Sequence, residues 1–439
     1  MQREVIEGFR LSPQQKHLWQ LQQGSPAYRA QCAVLLKGVL RPENLQKALS
    51  EVVERHEIFR TTYRCLPGMA IPLQVVAETV TPVWSVIDLR ESEAQQQAAR
   101  IEELFMQEKS RPFDFEQGSL MHASLFTLSA DEHVLFITVP ALCADAWTLK
   151  NIVQEINRFY SESAKDGEAS DDLLQYVRFS AWQNELLEAD DDETAELGKA
   201  YWRKLDISAL PAVTLPFEAK SGTHDVYATE TIAREIAPEV AAKLEAMAGK
   251  YDISVSIILL ACWQTLLWRL TGQTEIVVSN VSDGREYEEL QEAMGPFAKS
   301  LPIVSRFEGS LRFSDIIEVV ARTVRDAREW QDYFIPEQSG SEAGFGLALP
   351  IGFEFEERAA QKSNAGGVTF SIYKQYICSD RFKVKMTCVR TGDALTAELN
   401  YDPKLFRRED IERIAEQYAE MVTSAAREPE AQVSQLNLH

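Results

Sequence analysis

Two stretches of alternating helical and strand periodicity, separated by one aperiodic break, set the limits on what this chain can fold into. The break is at 205–225, where Pro211, Pro216 and Gly222 interrupt any apolar period and mark a crossover. Before it, strands are expected at 31–36 and 59–63, with a hairpin of 121–128 and 133–139 turning on Ser129-Ala130-Asp131-Glu132. Pro42 opens a helix in which Leu45, Leu49, Val52 and Val53 form one apolar stripe. Further helices are expected at 93–110, 145–160, 173–187 and 193–204, with an acidic loop at 166–172. After the break, helices are expected at 238–250, 254–270, 313–330 and 408–426. Strands are expected at 275–280, 303–307, 347–355, 368–373, 382–388 and 395–401. A chain of 439 residues suits two domains of about 200 each. The expectation is therefore two α/β lobes, each with its own sheet: an N-terminal lobe at 1–180, connecting helices and crossover at 181–225, and a C-terminal lobe at 226–439.

Composition narrows the partners. The formal net charge of −22 argues against nucleic acid or an anionic membrane as the main ligand. No run of 18 apolar residues occurs, and Met1-Gln2-Arg3-Glu4 leads into polar sequence, so a cytoplasmic protein is expected. The six cysteines form no Cys-x-x-Cys unit and read as reduced thiols, neither a disulfide framework nor a zinc site. The six histidines are not spaced as metal ligands, and no phosphate-loop, dinucleotide or nucleophile-elbow motif is present. No bound cofactor or metal is expected.

Motifs in a fixed order carry more information. Leu11-Ser12-Pro13-Gln14-Gln15-Lys16-His17-Leu18-Trp19 comes first, followed by Arg55-His56-Glu57-Ile58-Phe59-Arg60-Thr61-Thr62-Tyr63. Tyr176-Val177-Arg178-Phe179-Ser180-Ala181-Trp182, Asp283-Gly284-Arg285, Met294-Gly295-Pro296-Phe297 and Trp330-Gln331-Asp332-Tyr333 follow, and the tail runs from Leu399-Asn400-Tyr401 through Leu405-Phe406. Together, over nearly the whole chain, they resemble the core motifs of condensation domains from nonribosomal peptide synthetases. The resemblance implies two chloramphenicol-acetyltransferase-like lobes arranged in a V around a central tunnel. It implies peptidyl or aminoacyl carrier domains as partners, whose phosphopantetheine arms bring the substrates, and an adjacent adenylation domain. The tail Ala431-Gln432-Val433-Ser434-Gln435-Leu436 resembles the linker into such a domain, so a piece of a larger synthetase is expected.

One motif departs. The family's His-His-x-x-x-Asp-Gly stands at the end of a strand and the start of a helix. Here that place reads Pro140-Ala141-Leu142-Cys143-Ala144-Asp145-Ala146. An imidazole can take up or share a proton during amide formation, which is typically worth roughly 10²–10⁴-fold; a methyl group cannot. Cys143 would point the same way as Ala141 in an extended segment and is the one candidate substitute, against its reading as a small buried thiol. Asp145 matches the family's aspartate, and the resemblance implies that it pairs with Arg285; the alternative is a helix N-cap. Trp147, Lys299 and Ser300 are candidates for lining the tunnel.

Three functions compete. The domain presents a carrier-bound aminoacyl or peptidyl thioester, or recruits to it a tailoring enzyme such as an oxygenase. Alternatively it still forms amides by proximity with substituted residues. In the third case it is only a spacer.

Overall fold

The computed structural model describes residues 7–22, 25–162, 173–189, 192–205, 213–219, 227–336, 349–358 and 363–438. In chain order the elements are β1 (Phe9–Arg10), α1 (Pro13–Gln22), β2 (Arg29–Lys37), α2 (Pro42–Arg55), β3 (Thr61–Arg64), β4 (Leu73–Val76), β5 (Val83–Asp88), α3 (Ala94–Glu108), β6 (His122–Thr127), β7 (Glu132–Pro140), α4 (Ala146–Glu162), α5 (Tyr176–Glu188) and α6 (Glu193–Lys204). There follow β8 (Glu230–Ile236), α7 (Pro238–Tyr251), α8 (Val255–Thr271), β9 (Glu275–Ser282), β10 (Lys299–Arg306), α9 (Phe313–Glu329), β11 (Ile351–Glu357), β12 (Ser363–Ala365), β13 (Val368–Ile377), β14 (Val384–Thr391), β15 (Ala394–Tyr401) and α10 (Arg408–Arg427).

The fold is mixed α/β and divides into two units. Unit 1 holds Met1–Asp190, Asp283–Ala298 and Ala360–Asp380, and unit 2 holds the rest. The units are thus not the contiguous stretches read from the sequence. The reason is strand pairing: β13 lies antiparallel to β2 and joins the sheet β12-β13-β2-β7-β6-β5. A short sheet, β1-β4-β3, completes unit 1.

In unit 1, β6 and β7 form the expected hairpin, closed where Leu128 and Ser129 donate to the carbonyl of Glu132. Residues 57–60, of which 59 and 60 are expected in a strand, instead form a 3₁₀ turn. Arg60 Nε there donates to the carbonyl of Glu54, and the strand starts only at Thr61. On one face of the sheet α3 packs Ile101 and Phe105 against Phe126, Val134 and Phe136. Phe105 and Phe136 meet edge to face at 5.4 Å.

Unit 2 has its own six-stranded sheet, β10-β9-β11-β14-β15-β8, and its own core. Helix α8 is apolar almost all round and buried accordingly, with Trp263, Leu266 and Leu267 fully inside. Each such side chain contributes about 1.5–3 kcal/mol of transfer free energy. Among the described residues no single helix is long and apolar enough to cross a membrane. The expected loop at 166–172 and most of the 205–225 crossover lie outside the described residues.

Candidate functional site

The altered motif begins at the C-terminal end of β7. Pro140 ends the strand opposite Arg29 of β2, and the chain then turns tightly, Cys143 donating its backbone N–H to the carbonyl of Pro140. Nothing in this turn reaches solvent freely. Ala141 and Ala144 are 1 % exposed, and Leu142 and Cys143 not at all. The turn is held by the first two motifs of the chain. Gln15 Nε2 and Tyr63 Oη both donate to the carbonyl of Leu142 at 3.3 Å, and Gln15 also reaches Gln74 Oε1 at 2.9 Å. Trp19 stacks on Tyr63 at 6.0 Å.

Cys143 Sγ lies 3.8 Å from Tyr63 Oη. Burial pushes its thiol up to about 12. A buried thiol held in its protonated form is a poor nucleophile and no base at neutral pH. Of the two readings weighed for Cys143, the packing matches that of a small buried thiol.

Asp145 stands in the opposite condition. It caps α4, its Oδ1 accepting from the backbone of Thr148 at 2.8 Å. The same carboxylate takes Arg285 in a two-pronged pair, with Nη1 to Oδ2 at 2.8 Å and Nη2 to Oδ1 at 3.2 Å. Oδ2 also accepts from the backbone N–H groups of Phe297 and Ala298, both at 3.0 Å. The cap and the ion pair, alternatives on sequence, are both made. All these residues belong to unit 1.

Further residues lock the segment 283–298 to the start of α4. Thr148 Oγ1 donates to the carbonyl of Gly295 at 2.8 Å and accepts from Arg285 Nη2. Trp147 Nε1 and Asn151 Nδ2 both donate to the carbonyl of Gln291. Tyr176 Oη donates to the carbonyl of Pro296 and bonds Ser12 Oγ, so the motifs at 11–19, 176–182 and 294–297 meet here. Glycine is needed at two places. Gly295 has φ 153°, and a Cβ there would come within 2.0 Å of the Tyr176 ring; Gly284 has φ 69°, and a Cβ would strike the carbonyl of Phe297.

The remaining candidates are placed as follows. Ala146 is half-buried at the first position of α4. Trp147 is half-buried and committed through its indole N–H to Gln291. Lys299 and Ser300 start β10 in unit 2; Lys299 is buried and pairs with Asp332, while Ser300 is half-buried opposite Val281. Arg55 and His56 both pair with Glu155, His56 at 2.6 Å, so the second motif braces α4. The backbone donors of Phe297 and Ala298, together with Thr148 and Gln291, carry no mark in the sequence. Backbone groups have no residue signature, and the nearest signal is Gly295 itself.

The site is thus a capped helix that grips a buried Asp–Arg pair, beside a covered apolar turn. The condensation domain family model matches residues 6–439, and the chain belongs to that family. It is 26% identical over 451 residues to bacitracin synthase 3 of Bacillus licheniformis, covering 100% of this chain and 7% of that protein. It is 24% identical over 440 residues to tyrocidine synthase 3 of Brevibacillus parabrevis, covering 98% of this chain and 6% of that protein. The chain thus spans only a small part of the curated relatives that it matches. Among solved structures, the X-domain from teicoplanin biosynthesis superposes with a TM-score of 0.85 at 21% identity, covering 99% of both chains. The first condensation domain of the calcium-dependent antibiotic synthetase, in complex with a substrate analogue, gives 0.84 at 18%, again covering 99% of both. The same X-domain fold is known in complex with OxyB, at 0.82 and 21% identity, covering 99% of this chain and 97% of that one.

Proposed function

We propose that this condensation domain does not carry out ordinary amide formation, and that it presents a carrier-bound aminoacyl or peptidyl thioester to a tailoring enzyme such as an oxygenase. The observation that carries this reading is the split within one motif. The positions that would supply a general base hold Pro140 and a covered Ala141, and the nearby thiol is kept protonated. Five donors still converge on Asp145. A scaffold that keeps its internal lock while losing its proton-transfer group is suited to binding more than to turnover. The fold likeness to an X-domain that forms a complex with OxyB supports a recruiting role.

On this reading the substrate arrives on the phosphopantetheine arm of a peptidyl or aminoacyl carrier domain, with an adenylation domain as neighbour in a cytoplasmic synthetase. The chain needs no cofactor of its own, since the oxidative chemistry belongs to the recruited enzyme. Calorimetric titration tests the reading. A loaded carrier, or an oxygenase of the same biosynthetic system, is expected to bind with a dissociation constant in the micromolar range, about −8 kcal/mol. Absence of binding by both would leave only the spacer role and overturn it.

A further inference from the structure

Among the described residues, two that are not glycine hold a left-handed backbone. Asp252, at φ 54°, caps the C-terminal end of α7, a place that short polar side chains can take. Phe217, at φ 67°, is a different case. Glu218 donates its backbone N–H to the carbonyl of Leu215 and closes a tight turn there. Pro216 fixes a negative φ at the second position, so the turn is of the kind that calls for glycine or asparagine at the third. A bulky side chain in that conformation is strained.

The ring gains nothing inside unit 2 to offset the strain. It is 59 % exposed and lies outside the core. Its neighbour is Arg413 on α10, whose guanidinium stands 5.3 Å from the ring centroid. Arg413 is itself exposed and, among the described residues, makes no hydrogen bond or ion pair. The turn beneath is firmly mounted. Val213 and Leu215 are buried in the core. Glu218 accepts from the backbone N–H of Leu215 at 3.2 Å and pairs with Lys383 at 2.6 Å. Ala219 donates to the carbonyl of Leu405 at 2.8 Å. A large apolar ring is thus held out in one orientation, with an unpaired cation over it. Such fixed presentation lowers the ordering cost of binding. Aromatic and arginine side chains seated in pockets carry much of the binding energy of protein interfaces.

We infer that Phe217 and Arg413 are the anchor for the recruited tailoring enzyme. The ring enters an apolar pocket on that enzyme, and the guanidinium meets a carboxylate at the pocket's rim. This rests on the recruiting role proposed above.

The test titrates an oxygenase of the same biosynthetic system, and separately a loaded carrier, into the full chain and into its Phe217→Gly variant. Glycine adopts this φ without strain. The variant is therefore expected to melt at the parent's temperature or slightly above it. It is expected to bind the oxygenase about tenfold more weakly or worse, and the carrier as the parent does. Arg413→Gln is expected to weaken oxygenase binding several-fold and to flatten its salt dependence. Equal oxygenase affinity of the parent and Phe217→Gly would overturn the anchor and leave the recruiting role standing. A loss confined to the carrier would overturn it as well. So would a melting temperature lowered by several degrees, since the ring would then serve the fold. No oxygenase binding by the parent would overturn the anchor together with the recruiting role.

Discussion

Within six residues the loop after β7 changes character. From Pro140 to Ala144 every side chain is apolar or a protonated thiol, and from Ala141 to Ala144 exposure does not exceed 1 %. At Asp145 a buried carboxylate gathers five donors from α4, Arg285 and the backbone before β10. The two parts of one motif are therefore separable: the fold is kept with Pro140 and Ala141 in the apolar turn and with Asp145 in its lock. Asp145 neutralises a buried guanidinium and fixes the segment 283–298, so its loss would leave a charge without a partner.

The sharpest way to break this comparison is to remove the lock. Arg285→Ala strands the Asp145 carboxylate in the interior and is expected to cost about 3–5 kcal/mol, read as a fall in the urea midpoint. A loss below about 1 kcal/mol would mean that the pair does not hold the segment.

The turn should respond differently. Ala141→His adds a ring where the methyl already has no free surface. The expected result is a loss of about 1–3 kcal/mol from overpacking, without gained turnover. Amide formation by this variant would show instead that the space beside residue 141 is open and that only the imidazole is missing.

A pH experiment probes strand β6 of unit 1 apart from the turn. Burial first, then the charges of Arg111 and Arg29, lower His122 to about 4. Its ring packs 4.8 Å from Phe113. The unfolded chain binds this proton near pH 6.5 and the folded one only near 4, so this contribution to stability is complete above 6.5 and is lost as pH falls towards 4. After allowance for solvent screening the loss is about 2 kcal/mol. His122→Gln is expected to flatten that part of the stability–pH curve, measured as the difference from the parent chain.

Thiol labelling is the mildest probe. Cys65 is exposed and the other five cysteines are buried. Iodoacetamide at pH 7.5 is expected to modify Cys65 alone; rapid labelling of Cys143 would return it to the list of reactive groups.

Much of this architecture was legible in the sequence where burial is one-sided and long. The helix expected at 193–204 is α6 residue for residue, and the stripe after Pro42 is α2. Edge strands escaped. β5 exposes Val83 and Val86 on an outer strand, and β8 carries Glu230, Arg234 and Glu235, so neither shows a clean apolar alternation. The place of β13 in unit 1 was also hidden, because pairing partners more than 300 residues apart leave no local period. At the site, Asp145 and Arg285 were legible only through motif order, and the condition of Cys143 depended on packing by Tyr63 and Gln15 that no spacing reveals.

The most direct test of the central claim is to mix donor-loaded and acceptor-loaded carrier domains with the unaltered chain and follow new amide by mass spectrometry. No amide above that formed by the two carriers alone is expected. Robust condensation at a rate typical of the family would contradict the account.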